Sequence, residues 1–201
     1  MWECVANDWT VRLHALSFVL SHCKKRSSSG ADHVLGSDPD WTCHALCLAL
    51  EDTSTLVQRA ALDFLLVGLQ LHATCPLSDG AMIQLVTAAL DTLLRRNVSL
   101  NRRLFCWLLG TEMNQTVLPG SQKLEEKHTT NIAGYLTNNS KKFLIPSLLS
   151  ILKASLSTCD IRAYSIVMML LDKQEIGPQI IDDIILDIFR LVWFLWPSPL
   201  F

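Results

Sequence analysis

Apolar side chains recur at the spacing of an α-helix along almost the whole of this 201-residue chain. Leu62, Leu65, Leu66 and Leu69 form one such stripe, and similar stripes precede and follow it. Strict alternation of apolar and polar residues, which is typical of a half-buried strand, does not occur in the sequence. We therefore predict an all-α fold without a sheet.

Four of these apolar stripes share an arginine at their start. The arginines are Arg12, Arg59, Arg103 and Arg162. They follow one another at intervals of 47, 44 and 59 residues, and the last interval contains a polar loop at 111–128. A period of roughly 40–47 residues is typical of HEAT and armadillo repeats. The pattern predicts an α-solenoid of about four helical hairpins, in which each arginine reaches an acidic residue of a neighbouring turn.

Residues that start and stop helices divide the chain into these elements. Asp38–Pro39 has the form of an N-cap followed by proline at the first helical position, and Gly110 suits a helix C-terminus. The first predicted helix contains Val11 and Leu20 and stops near Lys24–Arg26. The other signals are a polar link at Ser27–Gly30, N-caps at Ser54, Ser78 and Ser99, a helix end at Cys75–Pro76, helices at Asn138–Ser155 and Asp160–Leu171, and a last helix from Gly177–Pro178. Trp9, Trp41 and Trp107 lie in or beside these helices, which favours packing in the core, whereas an exposed one would mark a partner surface.

Charge and hydropathy exclude several classes of protein. The net charge of −2 argues against a nucleic-acid binder, and an apolar fraction of 50% argues against disorder. The charge-free stretch at 191–201 contains two prolines and is shorter than the roughly 20 residues a membrane span needs. Residues 1–9 do not resemble a signal peptide, and seven cysteines without a paired framework indicate reduced thiols in the cytosol. The mean hydropathy of +0.29 is high, so we expect either a partner surface or a piece of something longer.

The end of the last predicted helix supports the second alternative. It runs into Val192–Trp196 with no polar cap, whereas the terminal repeats of a solenoid need a polar outer face. We expect the 201 residues to form a single helical-repeat unit within a longer array, with 193–201 as an atypical tail.

The sharpest candidate site is an arginine cluster across a predicted helix–helix turn. Arg95, Arg96, Arg102 and Arg103 could bind a phosphoinositide head group or an acidic partner segment. They could equally cap helix ends or pair across repeats. Two further basic groups, Lys24–Arg26 and Lys141–Lys142, could touch an anionic membrane or simply form solvated helix ends.

Metal and catalytic chemistry have weaker signals. Cys43, His44 and Cys47 lie within one helical turn and could begin a zinc site, but the sequence holds no matching second pair, so we interpret them as ordinary side chains. Asp182, Asp183 and Asp187 could suggest a carboxylate pair and more simply form a solvated helix face. Nucleophile, metalloprotease and phosphate-loop motifs do not occur in the sequence, so we predict no enzyme, no cofactor and no metal.

Two long segments carry a resemblance to a known family. Residues 56–66 read LVQRAALDFLL, and residues 93–110 read LLRRNVSLNRRLFCWLLG. They resemble the N-terminal region of the Dopey family, with supporting stretches at 11–20, 35–38 and 170–178 in family order. The resemblance identifies the chain as a fragment of a Dopey-type N-terminal domain.

The resemblance implies a location and a role. Dopey proteins are large cytoplasmic proteins, peripheral on Golgi and endosome membranes, that act in endosome-to-Golgi and intra-Golgi traffic and are not known as enzymes. They associate with a large scaffold related to Arf exchange factors and with aminophospholipid flippases. The resemblance therefore implies a non-enzymatic scaffold module, with a phosphoinositide-binding module using the Arg95–Arg103 turn as the alternative.

Overall fold

The computed structural model describes residues 1–25, 38–71, 77–113, 131–158 and 160–195, and these residues are helical with no strand among them. The prediction of an all-α fold is confirmed. The helices are α1 (Trp2–Asn7), α2 (Arg12–Lys25), α3 (Pro39–Leu50), α4 (Thr55–Gly68), α5 (Asp79–Asp91), α6 (Val98–Leu109), α7 (Lys141–Thr158), α8 (Arg162–Leu171) and α9 (Gly177–Leu195). A 3-10 helix (Thr92–Arg95) joins α5 to α6, and helical residues 131–135 with a π-helical turn (Leu136–Ser140) precede α7.

The helices form two series that alternate along the chain, and one helix of each series makes up a layer of the stack. The odd-numbered helices contact one another in order, from α1 to α3, α5, α7 and α9. In the even-numbered series α2 packs on α4 and α4 on α6, while α8 packs on α7, on α9 and on the 3-10 helix. The α1–α2 and α3–α4 pairs form helical hairpins. The packing is that of an α-solenoid, and the assignment to the HEAT or armadillo type stays a prediction.

Polar contacts between successive layers give the period of this stack directly. Trp107 Nε1 donates to the Leu69 carbonyl at 2.7 Å, and the two residues lie 38 apart in sequence. Arg12 reaches Asp52 across 40 residues, and Thr137 reaches Gln179 across 42. Neighbouring layers are therefore about forty residues apart, which agrees with the interval between the arginines.

The core is a continuous run of leucine, alanine and valine between the layers. Leu46, Leu62, Leu65, Leu85 and Leu104 are fully buried, and the buried set extends from Trp2 to Ile184. Each hairpin has apolar residues on both faces, and stacking covers them. The fold therefore depends on neighbouring layers rather than on one central core.

Most of the predicted helix signals act as expected. The side chains of Asp38 and Ser78 each accept a hydrogen bond from the backbone amide three residues later, which belongs to Trp41 and Ala81 respectively. Gly110 adopts a left-handed conformation, with φ of 63°, at the end of α6. Ser99, however, is not the cap of α6. The helix begins at Val98, and its cap is Asn97, two residues before Ser99; the Asn97 side chain accepts from the Ser99 and Leu100 amides.

The structure also shows one helix that the sequence analysis missed and two tryptophans outside the core. The sequence pattern did not predict α1, which is too short to show a helical period, yet Trp2 packs edge-on against Phe64 at 5.1 Å between ring centroids. Of the three tryptophans expected in the core, Trp107 is buried, but Trp9 is 76% exposed and Trp41 is partly exposed. The predicted link at Ser27–Gly30, the helix end at Cys75–Pro76, most of the 111–128 loop and the tail beyond Leu195 lie outside the described residues.

Candidate functional site

The turns that lead into the even-numbered helices line up along one side of the stack. We call this side the turn edge and define it by residues 8–11, 51–56, 95–98 and 160–162. Arg12 pairs with the Asp52 carboxylate at 2.5 Å, and Arg95 donates to the Asp52 carbonyl at 3.2 Å. The fourth turn, at 160–162, leads into α8, which packs on the 3-10 helix that ends at Arg95. The turn edge therefore crosses all the layers.

Each turn of the edge exposes a large apolar side chain close to the start of the even-numbered helix. Val11 and Ile161 come just before their helices, Val98 is the first residue of α6, and Leu56 is the second residue of α4. Their exposed fractions are 39% (Val11), 51% (Leu56), 83% (Val98) and 77% (Ile161). Single exposed apolar residues are common on protein surfaces, but here one lies at or beside the start of every even-numbered helix. This row can contact an apolar surface of a partner without any rearrangement of the core.

The four arginines of the predicted cluster contact different parts of the molecule. Arg95 reaches Asp52, as above, and Arg96 is exposed in a left-handed backbone conformation, with φ of 51°. Arg102 donates to the Met113 carbonyl at 2.5 Å. Arg103 donates to Asp63 of α4 at 2.7 Å and to the Ser99 hydroxyl at 2.7 Å. The structure thus holds Arg103 within the stack and leaves the other three exposed.

Arg95, Arg96 and Arg102 have no carboxylate partner within the described part of the chain. Two of them, Arg95 and Arg96, lie on the turn edge beside the exposed Val98. Their guanidinium groups are therefore available to carboxylate or phosphate groups. The use of these residues as a binding site stays a prediction.

The repeat arginines also differ among themselves. Arg12 donates to the carbonyls of Val5 and Ala6 as well as to Asp52, so it ties α1 to the α3–α4 turn. Arg103 ties α6 to α4. Arg162 pairs only locally with Asp160, and Arg59 has a buried Nε with no partner among the described residues. The contact to a neighbouring layer that the sequence predicts is present at Arg12 and Arg103.

A surface groove of about 580 Å³ lies between α4 and α6. Its lining includes Asp63 and Arg103 as an ion pair, Leu66, Trp107 and Tyr135. Burial raises the pKa of Tyr135, and a hydrogen bond with the Leu71 backbone opposes that rise. The groove combines a neutralised ion pair with apolar walls, which suits binding of a side chain rather than acid–base chemistry.

The cysteine–histidine group of α3 is packed as ordinary structure. The Cys43 thiol is buried and donates to the Ala81 carbonyl at 3.2 Å. Its hydrogen bond with Cys47 raises the pKa of Cys47, as does burial, and lowers the pKa of Cys43. His44 instead stacks beside Trp41. Within the described ranges no three His, Cys, Asp or Glu residues are placed to share a metal ion.

The acidic and basic side chains of α7 and α9 form separate ion pairs and do not gather at one site. Asp183 pairs with Lys141 at 2.6 Å and Asp187 with Arg190 at 3.3 Å, while Lys142 lies 3.5 Å from Asp79. The three aspartates of α9 thus do not form a carboxylate pair. Arg26 and the side chains of Lys24 and Lys25 lie outside what the structure describes. Of the helices in the described ranges, none is long and apolar enough to cross a bilayer.

Comparison with known proteins gives consistent matches over this fold. A family model described as "Dopey, N-terminal" matches residues 1–113. The chain is 37% identical to "Protein DOP1 homolog" of Drosophila melanogaster over 204 residues, which is 96% of this chain and 8% of that protein. It is 31% identical to "Protein DOP1B" of Mus musculus over 208 residues, or 94% of this chain and 9% of the relative.

A more distant match is "Protein pad-1" of Caenorhabditis elegans, 37% identical over 112 residues, which is 55% of this chain and 5% of that protein. No solved structure matches the chain. The chain thus spans about 8% of the length of the first relatives it matches, and it aligns with them over nearly its whole length.

Proposed function

This chain belongs to the Dopey family, and from that membership we propose that it is a non-enzymatic scaffold module of a protein acting in Golgi–endosome traffic. The protein would be cytoplasmic and peripheral on Golgi and endosome membranes. The chain would act by holding a partner protein on its helical-repeat surface. A stack of this kind offers a long continuous surface, because each layer adds an equivalent strip to the same side.

The turn edge is the observation that supports this proposal. One exposed apolar residue lies at or beside the start of each even-numbered helix, and the ion pair between Arg12 and Asp52 together with the Arg95 contact joins the first three turns. A surface that is already rigid loses little conformational entropy on binding. The edge therefore suits a partner that presents apolar side chains, with acidic groups beside Arg95 and Arg96.

The family resemblance indicates two partners for this surface. They are the large scaffold related to Arf exchange factors and an aminophospholipid flippase. We propose the first as the direct ligand of the turn edge, because a large protein surface can contact several turns at once. If the flippase also bound the turn edge, the two partners would compete for this surface.

Binding of the purified scaffold partner to this chain tests the proposal. We expect the double variant Leu56→Asp/Val98→Asp to weaken binding at least tenfold, because it places two charges in the apolar row. Both residues are exposed, so the variant should keep its helical circular dichroism and melting temperature. The matched control is Leu186→Asp, which places the same charge on an exposed leucine of α9 and should bind normally. Equal binding by the edge variant would contradict the proposal.

A second candidate function is phosphoinositide binding by Arg95 and Arg96 of the turn edge together with Arg102 in the neighbouring helix α6. These three exposed arginines have no carboxylate partner among the described residues, and each cation near an anionic surface contributes about 1 kcal/mol. The probe is vesicles of phosphatidylcholine with and without a phosphoinositide. Flotation that needs the phosphoinositide and falls with added salt would support this function.

The charge-reversal variant Arg95→Glu/Arg96→Glu/Arg102→Glu separates the two functions. If lipid binding is the function, this variant loses vesicle binding, whereas Arg190→Glu, a charge reversal on exposed Arg190 of α9, retains it. Retention of vesicle binding by the triple variant would exclude the arginine turn as the lipid site.

A further inference from the structure

The last helix has a second apolar face that nothing in the described structure covers. Ile180 and Ile184 are buried on the side of α9 that packs on α7. Leu186, Phe189 and Trp193, spaced by three and four residues, form a stripe on the opposite side. Their exposed fractions are 65%, 64% and 81%. We call this stripe the outer face of α9.

In the other odd-numbered helices, a corresponding face packs against the next odd-numbered helix. α3 lies between α1 and α5, α5 between α3 and α7, and α7 between α5 and α9. The internal odd-numbered helices α3, α5 and α7 therefore each have two odd-numbered neighbours, whereas α9 has one among the described residues. At the other end of the odd-numbered series, α1 exposes Glu3, Cys4 and Asn7. A mostly polar outer face is compatible with water, whereas the outer face of α9 has the composition of an internal contact.

The relatives indicate where a cover would come from. They match 94–99% of this chain, yet the matched region is only 8–9% of their length. More than nine-tenths of each relative's polypeptide therefore lies outside the match and is available to add layers to the stack. We propose that the outer face of α9 is the docking surface for one more helical layer of the same polypeptide.

The contacts between existing layers define the helix that would fit. Thr137 and Gln179 join neighbouring layers across 42 residues, and Cys43 and Ala81 across 38. The covering helix would therefore be centred about forty residues beyond Phe189 in the longer polypeptide. It would carry an apolar stripe of its own. Asp182 lies exposed near the start of the outer face without an ion pair among the described residues, so the covering helix would place a lysine or arginine opposite it.

The test uses this chain with a defined probe. The probe is the segment of roughly 45 residues that follows the matched region in the Drosophila melanogaster relative, about one repeat in length. We expect saturable one-to-one binding, measured by calorimetry. The variant Leu186→Asp/Phe189→Asp should weaken it at least tenfold. Val98→Asp, an equivalent change on the turn edge, should leave it unchanged, so that failure here is distinct from failure of the proposed function.

Three results would overturn the proposal. The first is absence of binding by the probe segment. The second is equal binding by the Leu186→Asp/Phe189→Asp variant. The third is a dimer of this chain in sedimentation that this double variant converts to monomer, because the face would then be occupied by a second copy. The milder variant Leu186→Ala/Phe189→Ala should weaken the probe less than the aspartate pair does, and it guards against an effect of charge alone.

Discussion

Single arginines show how differently one repeated residue can act in this stack. Arg103 lies mostly buried, with its Nε on Asp63 and a second nitrogen on both the backbone and the hydroxyl of Ser99. Arg59 occupies a similar place in α4 but has a buried Nε without a partner. A satisfied guanidinium stabilises the fold, whereas a buried donor without a partner costs free energy.

The pair Arg103→Ala and Arg59→Ala tests this difference. We expect Arg103→Ala to lower the free energy of unfolding by about 1–3 kcal/mol, because it leaves the half-buried Asp63 without its cation. Arg59→Ala should not lower it by more than about 0.5 kcal/mol, since no hydrogen bond is lost and a buried donor without a partner is removed. Urea denaturation of both variants measures this, with a double-mutant cycle on Asp63→Ala as control. Equal costs at the two positions would contradict the assignment.

At the scale of elements, helix ends control how the layers meet. Gly110 ends α6 in a left-handed conformation while the Thr111 amide donates back to the Cys106 carbonyl at 3.0 Å. The Tyr135 ring lies directly against Gly110, so the end of α6 is also where the helical segment before α7 packs. One glycine therefore serves both the backbone turn and a close contact between elements.

Replacing this glycine should be costly for two reasons. In Gly110→Ala the backbone keeps a φ of 63°, which costs about 1 kcal/mol, and the new Cβ would lie 2.6 Å from the Tyr135 ring. We expect a total loss of about 2–3 kcal/mol in chemical denaturation. The control is Gly80→Ala in α5, where a Cβ has no atom within 4 Å and helix propensity should add stability. A Gly110→Ala protein as stable as the parent would refute the packing of Tyr135.

Asp91, the last residue of α5, makes the stability of the fold depend on pH. Asp91 is exposed, but neighbouring groups partly desolvate its carboxyl and so raise its pKa above the usual value of 3.8. The charges of Glu51 and, to a smaller extent, Asp160 also raise this pKa, while Arg162 lowers it. A raised carboxyl pKa means that the folded state binds the proton more tightly than the unfolded state. Stability from this group is therefore present at low pH and is lost as the pH rises through the folded pKa.

Asp91→Asn tests that direction. We expect the variant to melt at a higher temperature than the parent at pH 7. The difference should shrink as the pH falls through the raised pKa of the folded state and below the usual value of 3.8, where Asp91 is protonated in both the folded and the unfolded state. The Glu51→Gln background should show a smaller gap, because one repulsive charge is already gone. A gap that grows at low pH would show that the sign is wrong.

At the scale of the whole molecule, stability comes from contacts between neighbouring layers. Leu65 of α4 is fully buried, and α4 packs against α2, α3 and α6. The helix that carries Leu65 therefore supports three other helices. In repeat proteins the interface terms between neighbours supply much of the free energy of folding.

A charge at that position should unfold the array. Leu65→Asp places a carboxylate among leucines and should cost about 4 kcal/mol or more, against a typical total of roughly 5–15 kcal/mol. We expect loss of the cooperative melting transition in circular dichroism. Leu56→Asp, on the exposed first turn of the same helix, should melt close to the parent. An unchanged melting curve for Leu65→Asp would show that α4 is placed wrongly.

The sequence alone determined the helical class, the forty-residue interval and several helix ends, because apolar period, Asp38, Ser78 and Gly110 act through neighbours in the chain. It could not determine which arginines find a partner, since Asp63 reaches Arg103 only after two layers have stacked.

The row of exposed apolar residues on the turn edge was equally out of reach. Val98 and Ile161 resemble core residues in the sequence, and only the packing of the layers leaves them exposed. Local hydrogen bonds and periodicity are encoded over a few residues, whereas burial and charge pairing are properties of residues about forty positions apart. The tertiary structure therefore decided the candidate site, although the sequence decided the elements from which it is built.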